Sequence, residues 1–418
     1  MSFPENTPPP PPPNDEPLVA WPADASAPAP PALAWARQRF RRYERPPSRG
    51  RTAAIHIGLF VLTLLTTVLA GSSLTRGSLD FVDFSLFGLP AAQRAEELGR
   101  GLTYALAFLG VLTVHEFGHY FVARYNKVRT SLPYYIPFPL GLGTFGAVIR
   151  IREAVFSRRE FFDIGLAGPL AGLVVAVGVL AYGFTHLPDP LAYVQHVHPE
   201  FVRYGADYAQ AYQGQIGLTL SRPLLYQWLE RWLANPALLP HPNELIHYPL
   251  LVAGELSLFF TALNLIPIGQ LDGGHILYGL LGPRRAGRLS GVLFVAFIFY
   301  AGLGIFSLRS DWQTWLYGGA PYALYLWLVF RKALPRPHQV LALAAVVWAA
   351  QLTVATLLPG IEGQPGWLLF GLLLGRVSGI YHPAAPDERP LSWGRQVLGW
   401  VMVLLFGLCF SPSPFVIG

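Results

Sequence analysis

The chain has 418 residues, of which 52% are hydrophobic and only 13% are charged. Soluble domains carry about 25% charged residues, so this composition excludes an ordinary soluble domain and indicates a protein embedded in a lipid bilayer. The formal net charge is +6, and the excess of positive charge is concentrated in one segment, because seven arginines lie between Arg37 and Arg51. This segment stands just before the first apolar segment, a position that favours a cytoplasmic membrane anchor over a tail that binds nucleic acid.

The first 50 residues predict a cytoplasmic tail. Residues 8–13 are six consecutive prolines, with further Pro and Ala around them, and this composition is typical of a disordered, polyproline-like chain. The tail has no basic segment followed by an apolar core, so a cleaved signal peptide is not expected. We therefore interpret residues 1–50 as a disordered, Pro-rich part followed by a basic part.

The apolar segments that follow predict an all-α polytopic membrane protein, built as a multi-span helical bundle. The segment 132–153 differs, because its prolines and glycines favour a loop with a short β-hairpin, either membrane-associated or re-entrant. Asp163 is expected to cap the third span. The single cysteine, Cys409, excludes an intrachain disulfide and a cysteine-based metal site. The predicted spans lie at 52–70, 102–125, 162–184, 248–281, 292–306, 317–330, 340–358, 367–380 and 397–410.

The second span carries the sequence His115-Glu116-Phe117-Gly118-His119. Two histidines four residues apart lie on one face of a helix, one turn apart, so both imidazoles can bind one Zn²⁺. The glutamate between them is placed to act as a base toward zinc-bound water. Ionisable side chains are costly inside a membrane, so this group indicates a hydrolytic site rather than helix packing.

A zinc hydrolase site needs a third protein ligand and an open position for water. Asp272 is the best candidate, because the prolines and glycines around it should break the fourth span and let its carboxylate face inward. If the Lys- and Arg-rich loops are cytoplasmic, Asp272 and the two histidines share the cytoplasmic half of the bilayer. We therefore expect one Zn²⁺ per chain.

Three motifs occur in a family-specific order: the HEFGH group, the small-residue segment 165–172, and the sequence NLIPIGQLDG at 264–273. Together they resemble the site-2 protease family of intramembrane zinc metalloproteases, in its bacterial and plastid-type members. The resemblance covers roughly residues 50–282. It implies that zinc-activated water cleaves the transmembrane segment of a protein substrate, with Asp272 as third ligand and Glu116 as general base.

The resemblance also suggests a division of the chain. Residues 51–282 would form the intramembrane protease core, including an exoplasmic insertion at 186–247, and residues 283–418 would add C-terminal transmembrane helices. The basic loops alternate with the spans, which predicts a cytoplasmic N-terminus and a cytoplasm-facing active site. We expect an integral protein of a bacterial inner membrane, and the sequence does not specify an oligomeric state.

Substrate contacts are predicted at two places. In the family pattern Asn264 contacts the substrate backbone or helps to position the reacting carbonyl, and it could equally serve only to cap the broken helix. The edge at 144–151, with Thr144, Phe145 and Gly146, could pair with an extended substrate by β-augmentation. A transmembrane helix must unwind before cleavage, and an edge strand would replace the hydrogen bonds that it loses.

Two other functions compete with proteolysis. The chain could be a catalytically silent membrane binding protein with the same fold, although His115, Glu116, His119 and Asp272 are all intact. It could also be a metal transporter, which would need further His or carboxylate stations along a pore, and the spans offer few.

Overall fold

A computed structural model of the chain describes residues 49–77, 85–139, 141–199, 201, 203–205, 207 and 218–417. The predicted disordered tail lies outside the described residues, apart from its last two positions. The described chain forms a helical membrane protein with two small antiparallel sheets. Its elements, in chain order, are α1 (Arg49–Leu74), α2 (Ser85–Gly88), α3 (Ala91–Tyr125), β1 (Tyr134–Pro137), β2 (Thr144–Val148), α4 (Arg158–Thr185), α5 (Pro190–Val197), β3 (Leu218–Leu220), α6 (Leu224–Leu233), α7 (Pro249–Leu265), α8 (Asp272–Ala301), α9 (Trp312–Phe330), α10 (Pro337–Leu357), α11 (Trp367–Leu373), α12 (Trp393–Cys409) and β4 (Phe415–Ile417).

Each predicted span overlaps a helix, and the fourth overlaps two, α7 and the first part of α8. Among the described residues, four helices are long and apolar enough to cross a membrane by length and composition, namely Gly50–Leu74, Ala91–Tyr125, Arg158–Thr185 and Pro337–Leu357. Three shorter apolar helices follow, at Pro249–Leu265, Trp367–Ser378 and Trp393–Cys409. The 35 residues of α3 reach about 52 Å, more than the ~30 Å hydrocarbon core, so its polar first turns extend beyond it.

The fourth span is broken, as its sequence predicts. Helix α7 ends at Leu265, α8 begins at Asp272, and the six residues between them are not α-helical. A second break lies between the predicted spans 248–281 and 292–306, as their separation in the sequence predicts. Gly282 takes a positive φ of 75° ahead of Pro283, so α8 consists of the segments 272–281 and 283–301. The helix of the next predicted span therefore begins at 283 rather than 292.

The helices that surround the broken span form the core of the fold. Helix α3 packs against α1, α4 and α7, and α4 also packs against α7 and α8. A separate apolar cluster joins the second segment of α8 to α9, α10 and the turn after α11, through Phe294, Leu326, Phe330, Val340 and Leu374. The α3–α4–α8 contact positions the predicted site, and the second cluster lies to its C-terminal side in the chain.

The two sheets connect parts of the chain that are distant in sequence. Strands β1 and β2 form the predicted hairpin, and backbone hydrogen bonds from Ser131 to Arg150 and from Arg152 to Arg129 extend it. Strand β3, in the insertion 186–247, pairs with β4 near the C-terminus. The helices among the described residues of the insertion are all short, at Pro190–Val197, Leu224–Leu233, Pro236–Leu238 and Pro242–His247.

The expected cap of the third span is wrong. Helix α4 begins at Arg158, and its N-cap is Ser157, whose hydroxyl accepts a hydrogen bond from the backbone amide of Glu160. Asp163 lies in the second turn instead. Its carboxylate accepts two hydrogen bonds from Arg395, at 2.7 and 3.0 Å, and thereby links α4 to α12.

Candidate metal centre

Helix α3 brings His115, Glu116 and His119 to one buried position. Their exposed fractions are 5%, 6% and 7%. The two Nε2 atoms of the histidines lie 3.0 Å apart. His119 Nδ1 is 2.7 Å from the carbonyl oxygen of Ile164 on α4, and because a carbonyl can only accept, this nitrogen carries the proton. His119 Nε2 therefore keeps its lone pair for a metal, in the orientation that metal-binding histidines commonly show.

Asp272 joins this pair from the first residue of α8. Its Oδ2 atom lies 3.4 Å from His115 Nε2 and 3.3 Å from His119 Nε2. The break before Asp272 explains the approach, since the new helix starts beside the site rather than passing it. The three side chains form a group whose potential ligand atoms all lie within 4.8 Å of one another. The structure thus brings the three predicted ligands together.

The glycines of α4 provide the space for the two histidines. A Cβ on Gly168 would collide with the His119 imidazole, and a Cβ on Gly172 would lie 3.0 Å from His115 Cβ. The contact is reciprocal, because a Cβ on Gly118 of α3 would lie 2.6 Å from the Ala167 carbonyl oxygen of α4. Small residues permit such close helix approach. The segment 165–172 therefore forms one wall of the candidate metal centre.

Glu116 lies between the histidines and the β-hairpin. Its Oε1 atom is 4.0 Å from His115 Nε2, and its carboxylate lies against the backbone amide of Ile149, just after β2. The hairpin is held beside α3 by a 2.8 Å hydrogen bond between the hydroxyls of Thr113 and Tyr135. A carboxylate in this place can exchange a proton with a molecule bound between the two histidines and the end of β2.

The predicted substrate-contacting residues occupy different surroundings. The Asn264 side-chain nitrogen lies 3.4 Å from His115 Nε2, so its amide belongs to the site. Thr144 is 2% exposed, and its hydroxyl is engaged inside the hairpin, where it donates to the Ile136 carbonyl and accepts from the Gly146 amide. The side chain of Phe145 is 63% exposed and stacks on Phe138. Any contact from Thr144 would therefore come from its backbone, whereas Phe145 can offer its ring.

A C-terminal loop, residues 382–388, contacts the start of α8, and these contacts were not predicted from the sequence. His382 Nδ1 donates to the Pro383 carbonyl, which leaves Nε2 to accept from His275 Nδ1 at 2.7 Å. Burial lowers the pKa of His382 to about 4, partly offset by its backbone hydrogen bond to Pro383. The Tyr278 hydroxyl, which bonds to Glu388, also accepts from the backbone amide of Ala385. No local sequence pattern predicts these contacts, because the residues of α8 that the loop contacts lie more than 100 positions away in the chain.

Comparison with known proteins confirms the family resemblance that the sequence motifs indicate. Residues 103–308 match Peptidase family M50. The "Probable zinc metalloprotease EGY1, chloroplastic" of Arabidopsis thaliana is 34% identical over 183 residues, which cover 44% of this chain and 30% of that protein. Its counterpart in Oryza sativa subsp. japonica is 29% identical over 238 residues, covering 54% and 38%. The "Probable zinc metalloprotease EGY2, chloroplastic" of Arabidopsis thaliana is 29% identical over 224 residues, covering 53% and 35%.

The extent of these matches is partial. The chain spans about a third of the length of these curated relatives. No solved structure shows a significant match. The family match nevertheless includes α8 and nearly all of the predicted membrane span of α3, and so contains the four side chains of the candidate metal centre. Residues 103–308, just under half of the chain, therefore carry a peptidase family M50 domain, the domain of the site-2 proteases.

Proposed function

We propose that this protein is an intramembrane zinc endopeptidase that cleaves the transmembrane segment of a membrane-protein substrate. The observation that carries the proposal is the convergence of His115, His119 and Asp272 beside the carboxylate of Glu116. The family match of residues 103–308 supports it, and so do the names of the relatives, which describe probable zinc metalloproteases. We assign the three converging side chains as zinc ligands and Glu116 as general base.

The donor set fits one zinc ion per chain. Ligand atoms of a tetrahedral zinc with bonds of about 2.0–2.1 Å lie roughly 3.3 Å apart. The three separations here are 3.0, 3.3 and 3.4 Å. Two imidazoles and one carboxylate also leave a fourth position open, the arrangement of catalytic rather than structural zinc sites.

The chain's own groups would carry out the proton transfers. Zinc bound there supplies a Lewis acid that makes water more acidic and favours negative charge on oxygen. Glu116 Oε1 is placed to accept a proton from the attacking water and then to donate it to the leaving amide nitrogen. The side-chain amide of Asn264 can donate to the carbonyl oxygen of the scissile peptide bond, where negative charge develops.

The hairpin offers a docking strand for the unwound substrate. Strand β1 packs against α1, where His56 Nδ1 donates to the Pro133 carbonyl and the His56 and Tyr134 rings lie 4.2 Å apart. Strand β2 pairs with β1 along one edge, and no further strand pairs with it among the described residues. An extended peptide added to the outer edge of β2 would run toward Ile149 and therefore toward Glu116.

The orientation in the membrane is also a proposal. The basic loops favour a cytoplasmic N-terminus and a site toward the cytoplasmic half of the bilayer. A bacterial inner membrane remains our assignment, while the named relatives are chloroplastic. Membrane-anchored proteins with a single apolar span would then be the substrate class.

The decisive test is Glu116→Gln, which removes the base and keeps the shape of the side chain. The matched control is Glu97→Gln on the same helix, where the carboxylate pairs with Arg100 at the polar end. Membrane proteins that accumulate with the first variant and not the second are identified by mass spectrometry. They are then offered to the purified proteins in lipid vesicles, and the cleavage products are measured.

We expect Glu116→Gln to keep its zinc and to lose cleavage by about 100- to 10,000-fold, the usual contribution of a general base. Glu97→Gln should cleave at the wild-type rate. Cleavage by Glu116→Gln within a few-fold of wild type would overturn the assignment of the base. A wild-type protein that binds zinc and cleaves none of the accumulating proteins would favour the silent binding protein.

A further inference from the structure

A second group of potential metal ligands lies outside the candidate active site, in the insertion. His198 is the C-cap of α5, and Glu244 and His247 belong to the 3-10 helix Pro242–His247 that leads into α7. Their possible ligand atoms lie within 4.8 Å of one another. Among the described residues, this group and the His115–His119–Asp272 group are the two clusters of this kind.

The geometry of this second group resembles that of the first. The Nε2 atoms of His198 and His247 lie 3.0 Å apart, the same separation as in the His115–His119 pair. The Glu244 carboxylate oxygens lie 4.0 Å from His198 Nε2 and 3.9 Å from His247 Nε2. Ligand atoms on tetrahedral zinc lie roughly 3.3 Å apart, so one oxygen of the Glu244 carboxylate must move toward the two nitrogens by roughly 1 Å to complete the set.

A backbone contact fixes the proton of His247 as well. Its Nδ1 atom lies 2.7 Å from the carbonyl oxygen of Thr75, at the end of α1, and must therefore be the donor. His247 Nε2 is left with its lone pair facing His198 and Glu244. The same arrangement orients His119 through Ile164 in the candidate active site, and such outer contacts set the orientation of metal-binding imidazoles.

Two of the three side chains are buried, and the third is partly exposed. Glu244 is fully buried and His247 is 4% exposed, whereas the side chain of His198 keeps 23% of its surface accessible. Two imidazoles and a carboxylate suit zinc and its first-row neighbours better than magnesium or calcium, which prefer oxygen ligands. The partly exposed His198 provides the side from which an ion can enter.

We propose that His198, Glu244 and His247 bind a second transition-metal ion of the zinc class, separate from the catalytic one. The ion connects three parts of the chain: the end of α1 through Thr75, the end of α5 through His198, and the start of α7 through Glu244 and His247. Since α7 carries Asn264 and leads to Asp272, the ion holds the insertion against the helix that feeds the active site.

The test counts zinc in the purified full-length protein in detergent, after loading with Zn²⁺ and removal of the excess. Wild type should hold two zinc ions per chain. His247→Asn keeps an amide that can donate to the Thr75 carbonyl while it removes Nε2, and it should hold one. His115→Ala/His119→Ala should also hold one, and the combination should hold none.

Two further variants keep the test decisive. His198→Ala removes a partly exposed ligand and should also hold one zinc, which guards against a folding defect in His247→Asn. The control is His186→Gln, a histidine at the end of α4 that bonds to the Tyr182 carbonyl and lies outside the cluster, and it should hold two. One zinc in wild type that is lost only with His115 and His119 would overturn the proposal and leave a metal-free His198–His247 hydrogen bond. Two zinc ions in both His198→Ala and His247→Asn would equally overturn it.

Discussion

Replacement of Gly168 by alanine tests whether helix packing sets the metal geometry. The new Cβ would collide with the His119 imidazole, whose other nitrogen is fixed by the Ile164 carbonyl. Ordinary van der Waals contact begins at 3.4 Å, so the ring or the helix must move by roughly 1 Å. Because Ile164 and Gly168 lie one turn apart on the same face of α4, the ring cannot move away from Gly168 without disturbing its hydrogen bond to Ile164.

The size of the effect follows from this displacement. Misplacement of a catalytic group by about 1 Å can cost about 100-fold in rate, and we expect that loss for Gly168→Ala. The strain of the added methyl group should cost about 1–3 kcal/mol of stability. Gly172→Ala should be milder, since its Cβ would lie 3.0 Å from His115 Cβ and a shift of a few tenths of an ångström relieves the contact.

The same helix supplies the control. A Cβ on Gly178 would meet nothing within 4 Å. Gly178→Ala should therefore keep full activity, and the better helix propensity of alanine should leave its stability unchanged or slightly higher. Zinc content, cleavage rate in vesicles and thermal unfolding in detergent are measured for the three variants and wild type. Full zinc content and wild-type cleavage in Gly168→Ala would refute the reasoning.

Two other predictions concern the metal and the C-terminal loop. Loss of a contact that merely orients a zinc ligand costs about 10- to 100-fold in affinity, so Asp272→Asn, which alters a ligand itself, should weaken zinc binding at the active site by more than about 100-fold in a chelator competition. A chelator should abolish wild-type cleavage, and added zinc should restore it. Zinc binding by Asp272→Asn close to that of wild type would contradict the ligand assignment. The pKa of His382 is lowered from 6.5 to about 4 in the folded protein, so the unfolded state binds more protons between these two pH values. The free energy of unfolding should therefore fall as the pH drops from 6.5 toward 4, and His382→Gln should flatten that dependence. A pH profile of thermal unfolding that is unchanged in His382→Gln would contradict this role of His382.

The candidate metal centre was accessible from sequence because its signals are local. A spacing of four places His115 and His119 on one helical face whatever the rest of the chain does. Pro267 and the glycines after it break a helix equally locally, which is why the interruption of the fourth span near Asp272 could be predicted. The hairpin follows from the same reasoning, since prolines and glycines at high density leave few alternatives to a turn.

The supporting contacts were not accessible, because they join residues with no local signature. Ile164 serves the site through its carbonyl oxygen, which every residue has. Asp163 and Arg395, which pair in the structure, are 232 positions apart in the chain. Without knowledge of this partner, a carboxylate near the start of a helix is interpreted as a helix cap. Likewise His198 and His247 are separated by 49 positions, and only the folded insertion brings them together.

Helix α4 carries the small-residue segment 165–172, and its position gives this segment a direct part in the site. It packs against both α3 and α8, the helices that carry the two histidines and the aspartate. Gly168 faces His119, while a Cβ on Gly165 would lie 2.5 Å from His275 Cβ, one turn beyond Asp272. The same face of α4 therefore sets the distance of each ligand-bearing helix. Helix packing and metal coordination are thus one constraint here, and side-chain size at positions 165 and 168 is limited by the site as much as by the bundle.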